Sequence, residues 1–268
     1  MANVIGFIGA GQLGEPMVAR LLDAGHDVMV YARRPEVRES VTSQGATVAD
    51  SMAELARQSD ILISCLFSDV QLNEAGLGTD GFIANAKPGS IFVSHTTGTV
   101  ATLTALRDSH PSPPVILDAP VSGTVDNIVD GTLTVLLGGP SDAVRLVTPV
   151  LTAYANPIVP TGELGSALAI KLVNNLLFSC NAQLLAAAIE LGKSLGVDDA
   201  ALLSALQVCS SASHAATQAH RVGGIETFTE RATPFLRKDI AAASEAAGEA
   251  GVDLGLLGMV VAAGPLDL

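Results

Sequence analysis

The sequence predicts an α/β fold, in which a Rossmann-like doubly wound sheet is followed by an all-helical C-terminal domain. Short β-branched runs alternate with helical patterns as far as about residue 159, and a glycine-rich turn follows the first run. Strand signals stop after Thr161. Alternating strand and helix signals are typical of βαβ units and of a largely parallel sheet. We therefore expect two domains, residues 1–162 and residues 163–268.

The elements follow in order from the apolar runs and the breaks between them. Strands are expected at residues 4–8, 28–31, 61–66, 90–94, 115–118, 133–138 and 157–159. Helices are expected between them, for example at residues 13–23, 35–43, 52–57 and 99–109. In the second domain, helical patterns cover about 163–195 and 198–210. A polar stretch comes next, then a helix at about 234–250 and a last short segment.

Composition and charge exclude several classes of function. Hydrophobic residues make up 49% of the chain and charged residues 15%, which favours a buried core over disorder. A net charge of −13 repels phosphate backbones and anionic lipids, so we expect neither nucleic acid nor membrane as a partner. The three cysteines lie in apolar runs without metal-ligand spacing, so neither a metal site nor a disulfide framework is expected.

The apolar stretch at residues 164–189 is long enough to span a membrane, but it contains several polar residues, among them Lys171, Asn175 and Gln183. Such residues favour a buried helix of a soluble protein. The start of the chain lacks the basic segment of a signal peptide and leads directly into a strand. We expect a cytoplasmic protein.

The glycine-rich turn predicts a dinucleotide site. The first strand runs into Gly9-Ala10-Gly11-Gln12-Leu13-Gly14 and then into a helix. Gly9 permits a tight turn, Gly11 lets the backbone approach a pyrophosphate, and Gly14 allows close packing of helix against strand. The alternative is a tight turn without a ligand. The strand–turn–helix context at the head of a βαβ series favours the dinucleotide.

The end of the second strand favours NADP over NAD. An acidic residue at this position would bind the ribose 2′-hydroxyl of NAD, but the sequence has Ala32-Arg33-Arg34, and Asp27 lies at the other end of the strand. Arg33, Arg34 and Arg38 form the densest basic cluster of an acidic chain, and guanidinium groups suit a 2′-phosphate. The alternative is a solvated basic loop.

Lys171 is the only charged residue between Glu163 and Glu190. A lysine is seldom buried without a partner or a task, and partial desolvation lowers the pKa of an ammonium group toward the range of proton transfer. Asn174 and Asn175 follow at i+3 and i+4, so they share its helix face. Spacing alone leaves two interpretations open: a catalytic lysine, or one whose ammonium reaches solvent at the domain edge.

These segments together resemble the β-hydroxyacid dehydrogenase family over nearly the whole chain. Four blocks occur in the order found in that family: residues 6–17 (GFIGAGQLGEPM), 118–124 (DAPVSGT), 162–175 and the pair Lys238-Asp239. Ser94 and Thr124 depart from the pattern, because the family has an aspartate and a second glycine at these positions.

The resemblance implies a role for particular residues. Lys171 would be the general acid and base, and Asn175 would orient the substrate. Ser122, Gly123 and Thr124 would bind the carboxylate of a small substrate. The cofactor would contact residues 9–14, Arg33, Arg34, Leu66, Thr97 and Lys238. For Lys238 the alternative is a surface ion pair with Asp239.

The resulting expectation is hydride transfer between NADP(H) and a short β-hydroxy acid or semialdehyde acid. One alternative is an imine reductase on the same fold, which Lys171 disfavours because those relatives usually have Asp or Tyr at that position. Another is a non-catalytic NADP-binding sensor or assembly protein. The helix at about 163–195 is too apolar to bury all its faces in a small domain, so we expect a homodimer formed through the C-terminal domain.

Overall fold

A largely parallel sheet forms the first part of the chain in the computed structural model, which describes residues 3–268. The strands are β1 (Val4–Ile8), β2 (Asp27–Tyr31), β3 (Thr47–Val48), β4 (Ile61–Ser64), β5 (Ile91–Ser94), β6 (Val115–Asp118), β7 (Val121–Ser122), β8 (Leu133–Gly138) and β9 (Ala155–Gly162). Their order in the sheet is β3-β2-β1-β4-β5-β6-β8-β7, and β9 pairs with β8. Strand β8 runs antiparallel to β6 and to β7, and β9 runs parallel to β8, so these two strands oppose the direction of the others in the described part of the chain.

The strand order places a crevice at the carboxyl ends of β1 and β4. From β1 the chain moves outward to β2 and β3, and it then returns to place β4 on the other side of β1. In a doubly wound sheet, loops on either side of such a reversal diverge and leave room for a ligand. The segments that follow β1, β4, β5 and β6 therefore all lie at one edge of the sheet.

Helices cover both faces of this sheet. They are α1 (Gly14–Asp23), α2 (Pro35–Ser43), α3 (Met52–Gln58), α4 (Asp69–Gly76), α5 (Phe82–Asn85), α6 (Val100–Asp108), α7 (Val125–Val129) and α8 (Ser141–Leu151). Successive residues of one strand belong to different cores: Phe7 packs with Met17 and Val30 on one face, and Ile8 with Leu62 and Phe92 on the other. Burial on both faces explains why the strands are continuous apolar runs.

The chain divides into two compact units, residues 1–171 and residues 172–268. This division lies beyond residue 162, where the strand signals end. The long helix α9 (Ser166–Ser194) begins within the first unit, and its residue Leu168 is part of the core on one face of the sheet. The fold class that the sequence predicts is confirmed.

The second unit is helical. After α9 it contains α10 (Asp199–Leu206), α11 (His214–Arg221), α12 (Ile225–Glu249) and α13 (Gly255–Ala263). One core joins the second half of α9 to α10, α11 and α12 through Leu185, Leu203, Ala216 and Phe228. In a second core, Cys180 of α9 is buried together with side chains of α12 and α13.

The structure corrects the predicted elements after residue 210 and at two short strands. The polar stretch after residue 210 contains α11 and the first turns of α12, and α12 begins at Ile225 rather than at about 234. Pro234 lies inside α12 because Phe228 and Leu236, on either side of it, are both buried in the core. Strands β3 and β7 were not predicted, since two residues are too few to produce a recognisable pattern.

Candidate functional site

The turn after β1 has the shape of a phosphate loop. Gly9 has a φ of +90°, and a Cβ there would lie 2.4 Å from the carbonyl oxygen of Cys65. A Cβ on Gly14 would lie 2.1 Å from the carbonyl oxygen of Gly9, so helix and turn are in direct contact. At Gly11 a Cβ would meet nothing within 4 Å. The first and third glycines are required by packing, and the second lies beside open space.

Two neighbouring strands bring further predicted cofactor residues to this edge. Leu66 follows β4, and its Cδ2 would be 3.0 Å from a Cβ on Gly9. Thr97 follows β5 and is half-buried. The carboxylate of Asp69 fixes the loop after Thr97, because it accepts hydrogen bonds from the Thr99 backbone N–H (2.8 Å) and hydroxyl (3.0 Å).

The arginines after β2 differ in their partners. Arg34 lies 3.7 Å from Glu36, and Arg38 lies 3.4 Å from Asp50, in exposed ion pairs that contribute little to stability. Arg33 is exposed and forms no ion pair with any residue between 3 and 268. Of the three, Arg33 is the guanidinium most available for an anionic ligand.

The predicted substrate segment follows β6. Ser122, Gly123 and Thr124 are all exposed. Thr124 directs both its backbone N–H (2.9 Å) and its hydroxyl (3.2 Å) to Oδ1 of Asn127 in α7. Its donors are therefore occupied, so Ser122 and Gly123 are the members of this trio better placed to bind a carboxylate.

The first turn of α9 is attached to strand β6 by a buried carboxylate. Asp118 is completely inaccessible to solvent. Its Oδ1 accepts a hydrogen bond from the backbone N–H of Gly165 at 2.8 Å, and its Oδ2 accepts one from Leu168 at 2.9 Å. The N–H groups at the start of a helix have no partners within the helix, so this carboxylate acts as its cap from a different element.

Lys171 and Asn175 occupy successive turns of α9, and their separation by four residues places them on one helix face. Lys171 is partly buried and is the last residue of the first unit. Asn175 is 8% exposed, and its Oδ1 accepts a hydrogen bond from the Asn174 amide at 3.1 Å. Lys238 lies on α12 in the second unit and is exposed.

A buried histidine, His95, connects the segments that follow β5 and β6 at the edge of the sheet where these strands end. The Nδ1 atom of His95 is 2.5 Å from the carbonyl oxygen of Ala119, and its Nε2 is 2.8 Å from the hydroxyl of Tyr154. A carbonyl can only accept, so Nδ1 carries the proton and Nε2 accepts from Tyr154. Burial lowers the pKa of His95 from 6.5 to about 4, which keeps the ring neutral.

Sequence reasoning missed the residues that hold the site in place: Asp69, His95, Asp118, Asn127 and Tyr154. Four of them form hydrogen bonds with residues far away in the sequence. The fifth, Asn127, caps the start of α7 by accepting from Thr124. For Asp118 one signal was present, since a carboxylate at the end of an apolar strand must find donors when it is buried.

The glycine turn fits a dinucleotide. Gly9 and Gly14 let the turn pack closely against its neighbours, Gly11 leaves space for a ligand, and the N-terminus of α1 follows directly. Backbone N–H groups of this turn would hold the pyrophosphate, apart from that of Gly11, which donates to the Gly9 carbonyl at 2.8 Å. Within residues 3–268, no group of three or more His, Cys, Asp or Glu side chains lies close enough together to hold a metal ion.

Two family descriptions match nearly the whole chain between them. Residues 4–165 match the NAD binding domain of 6-phosphogluconate dehydrogenase. Residues 165–263 match the domain described as the NAD-binding of NADP-dependent 3-hydroxyisobutyrate dehydrogenase.

Individual relatives agree with these matches. The 3-hydroxyisobutyrate dehydrogenase of Pseudomonas aeruginosa is 32% identical over 77% of this chain and 70% of its own length. A structure of the Mycobacterium tuberculosis 3-hydroxyisobutyrate dehydrogenase with L-serine is 26% identical, with a TM-score of 0.86 over 98% of this chain and 92% of that one. An imine reductase from a Pseudomonas species shares the fold at 18% identity, with a TM-score of 0.57 over 93% of this chain and 77% of its own.

Proposed function

The chain belongs to the β-hydroxyacid dehydrogenase family, and from that premise we propose that it transfers a hydride between NADP(H) and a short β-hydroxy acid or its semialdehyde, with Lys171 as general acid and base. The observation that carries the proposal is the attachment of the Lys171 helix to strand β6. This strand leads into Ser122 and ends at the same sheet edge as the phosphate loop.

Each group of this chain has a separate task in the reaction. Ser122 and the backbone of Gly123 bind the substrate carboxylate, which fixes the distance from that carboxylate to the reacting carbon. In reduction, the Lys171 ammonium donates a proton to the carbonyl oxygen as that oxygen gains negative charge. In oxidation, the neutral Lys171 amine accepts the hydroxyl proton. Asn175 orients the same oxygen from the next turn of α9. The dinucleotide, when bound, supplies or accepts the hydride.

The preference for NADP rests on the end of β2. Ala32 is buried there, no carboxylate follows it, and Arg33 is exposed without an ion-pair partner among residues 3–268. A guanidinium binds a 2′-phosphate through paired hydrogen bonds, whereas the free hydroxyl of NAD offers it no negative charge. The description of the C-terminal family as NADP-dependent supports the same choice.

The test is a turnover assay with NADPH and NADH in parallel. The substrates are glyoxylate, succinic semialdehyde, methylmalonate semialdehyde and tartronate semialdehyde, and the reverse direction uses 3-hydroxyisobutyrate and L-serine. L-serine is included because a structural relative was solved with it. We expect turnover with NADPH, a loss of about 10²-fold or more in Lys171→Ala with cofactor affinity unchanged, and a weaker preference for NADPH in Arg33→Ala.

Three outcomes would contradict parts of the proposal. Full activity in Lys171→Ala would exclude this lysine as the proton donor. Reduction of cyclic imines without activity on any of the acids would favour an imine reductase. NADPH binding without turnover on either set would favour a sensor or an assembly protein.

A further inference from the structure

Asp118 connects two groups that the proposed reaction requires to be held together. Ser122, which binds the substrate carboxylate, lies four residues after it along the chain. Lys171 lies three residues after Leu168, whose N–H donates to Oδ2 of Asp118. The fully buried carboxylate of Asp118 therefore binds α9 one helical turn before Lys171, and it lies four residues before Ser122 in the chain.

The two hydrogen bonds of Asp118 fix α9 in more than one respect. One donor, Gly165, comes before the first residue of α9, and the other, Leu168, lies in its first turn. Since each carboxylate oxygen accepts one of them, both the position and the rotation of the helix start relative to β6 are determined. A shift of the helix start would move Lys171 with it.

The surroundings leave the carboxylate no freedom to move. A Cβ on Gly138 of β8 would lie 2.4 Å from Oδ1 of Asp118, so this position of the neighbouring strand admits no side chain. The next peptide is held as well, because the Ala119 carbonyl accepts the hydrogen bond of His95. On the other side Ser94 is paired in register with Asp118, yet its buried hydroxyl makes no hydrogen bond within the described residues.

We propose that Asp118 is the positioning residue for Lys171: its carboxylate holds the first turn of α9 so that the lysine amine stands at a fixed distance from the carboxylate-binding segment at Ser122. The proposal rests on the proposed function, in which Lys171 transfers the proton. It assigns to Asp118 an effect on the proton-transfer step, in addition to its contribution to folding.

The first measurement reads the lysine directly and requires no substrate. Wild type and Asp118→Asn are acetylated with limiting reagent, and the ratio of modification at Lys171 to that at Lys193 is determined by mass spectrometry. Lys193 lies at the other end of α9 and is paired with Asp199 at 3.0 Å, so it serves as an internal reference. We expect the ratio to rise about threefold or more in Asp118→Asn, because a released helix start exposes the partly buried amine.

The second measurement separates chemistry from binding. Asparagine keeps the size of the side chain but offers one acceptor oxygen where two N–H groups need one each. We expect kcat to fall by about 10- to 100-fold, with much smaller changes in KM and in the dissociation constant of NADPH. A side chain that only supports the fold would lower the thermal stability and leave kcat of the folded enzyme unchanged.

Two further variants serve as an independent test and as a control. Gly138→Ala displaces the carboxylate without removing it, so it should reproduce both effects even where Asp118→Asn folds poorly. Asp60→Asn is the matched control: its carboxylate accepts the Val4 N–H at 3.0 Å, but at the amino-terminal edge of the sheet. It should lower stability and leave both the labelling ratio and kcat unchanged.

The outcomes distinguish this inference from the proposed function. An unchanged labelling ratio or an unchanged kcat in folded Asp118→Asn and Gly138→Ala overturns the positioning role, even when Lys171→Ala is inactive. Full activity in Lys171→Ala refutes the proposed function instead, whatever the labelling ratio shows.

Discussion

At the scale of single residues, the site depends on buried polar groups whose hydrogen bonds fix their position, His95 and Asp118 among them. His95 is the clearest case, because a neutral ring with a fixed tautomer donates to Ala119 and accepts from Tyr154. Both ring nitrogens are used, and the ring is closed off from water. A second proton on His95 would have to go on Nε2, where it would replace the hydrogen bond that this nitrogen accepts from the Tyr154 hydroxyl.

The protein should therefore lose stability in mild acid through His95. The folded-state pKa of about 4 lies below the value of 6.5 expected for the unfolded chain, so the unfolded chain takes up the proton first as the pH falls. The contribution is fully present above pH 6.5 and decreases between pH 6.5 and about 4, by up to about 3 kcal/mol. Urea unfolding at a series of pH values measures it.

The matched variant for this prediction is His95→Gln, which can also donate to one partner and accept from the other. Its free energy of unfolding should change less between pH 6.5 and 4 than that of the wild type. His220→Gln, at an exposed position of α11, should keep the wild-type dependence. Parallel curves for wild type and His95→Gln would show that His95 is not responsible.

At the scale of elements, α9 combines a composition that could cross a membrane with the contacts of a core helix. It is long and apolar enough to cross a membrane, but half of its most apolar stretch is buried inside the protein. Its residue Gln183 is paired internally: the amide donates to the carbonyls of Val261 and Leu266 at 2.9 Å each, and the side-chain oxygen accepts from Leu266 N–H at 2.8 Å. These bonds fasten the last segment of the chain to the helix.

Replacing Gln183 by Leu should destabilise the second unit without affecting the cofactor turn. One buried and two partly buried backbone groups lose their partner, at a cost of about 2–4 kcal/mol in the free energy of unfolding. Thermal unfolding should show a lower Tm, with NADPH affinity unchanged below the transition. Gln207→Leu, which removes one local bond to Leu203 in α10, is the control and should cost about 1 kcal/mol. Equal losses in both variants would refute the special role of Gln183.

At the scale of the whole molecule, α9 exposes an apolar face. Val173, Leu177, Leu184 and Leu191 are each about half or more exposed. The last three are spaced by seven residues, which is the repeat of helices that pack lengthwise against each other. An apolar row of this length is costly in water. We propose that a second copy of the chain covers it, as the apolar character of the helix already suggested.

The mass in solution tests this proposal. Light scattering should give twice the chain mass for the wild type, and the double variant Leu184→Glu/Leu191→Glu should give the monomer. Leu146→Glu, at an equally exposed position of α8, should remain dimeric. A monomeric wild type would refute the dimer, and a dimeric double variant would place the interface elsewhere.

Sequence alone determined the features that depend on short-range patterns. Strands at residues 4–8, 115–118 and 133–138 were predicted with the bounds that the structure has, because β-branched runs between turns are local signals. The glycine-rich turn after β1 was recognised from an equally local signal, and packing requires glycine at its first and third positions, Gly9 and Gly14. Lys171 could be singled out because one charge in a long apolar helix is unusual whatever the fold.

The tertiary structure decided what depends on partners far apart in sequence. Asp118 and Gly165 are 47 positions apart, and His95 and Tyr154 are 59 apart. No periodicity connects such pairs, because a buried polar group is satisfied by whichever donor the fold brings near it. The same holds for α12, in which buried side chains on both sides of Pro234 maintain a helix that local propensity would end. The chain's own pattern therefore specified the sheet and the lysine, and only long-range contacts specified how that lysine is held.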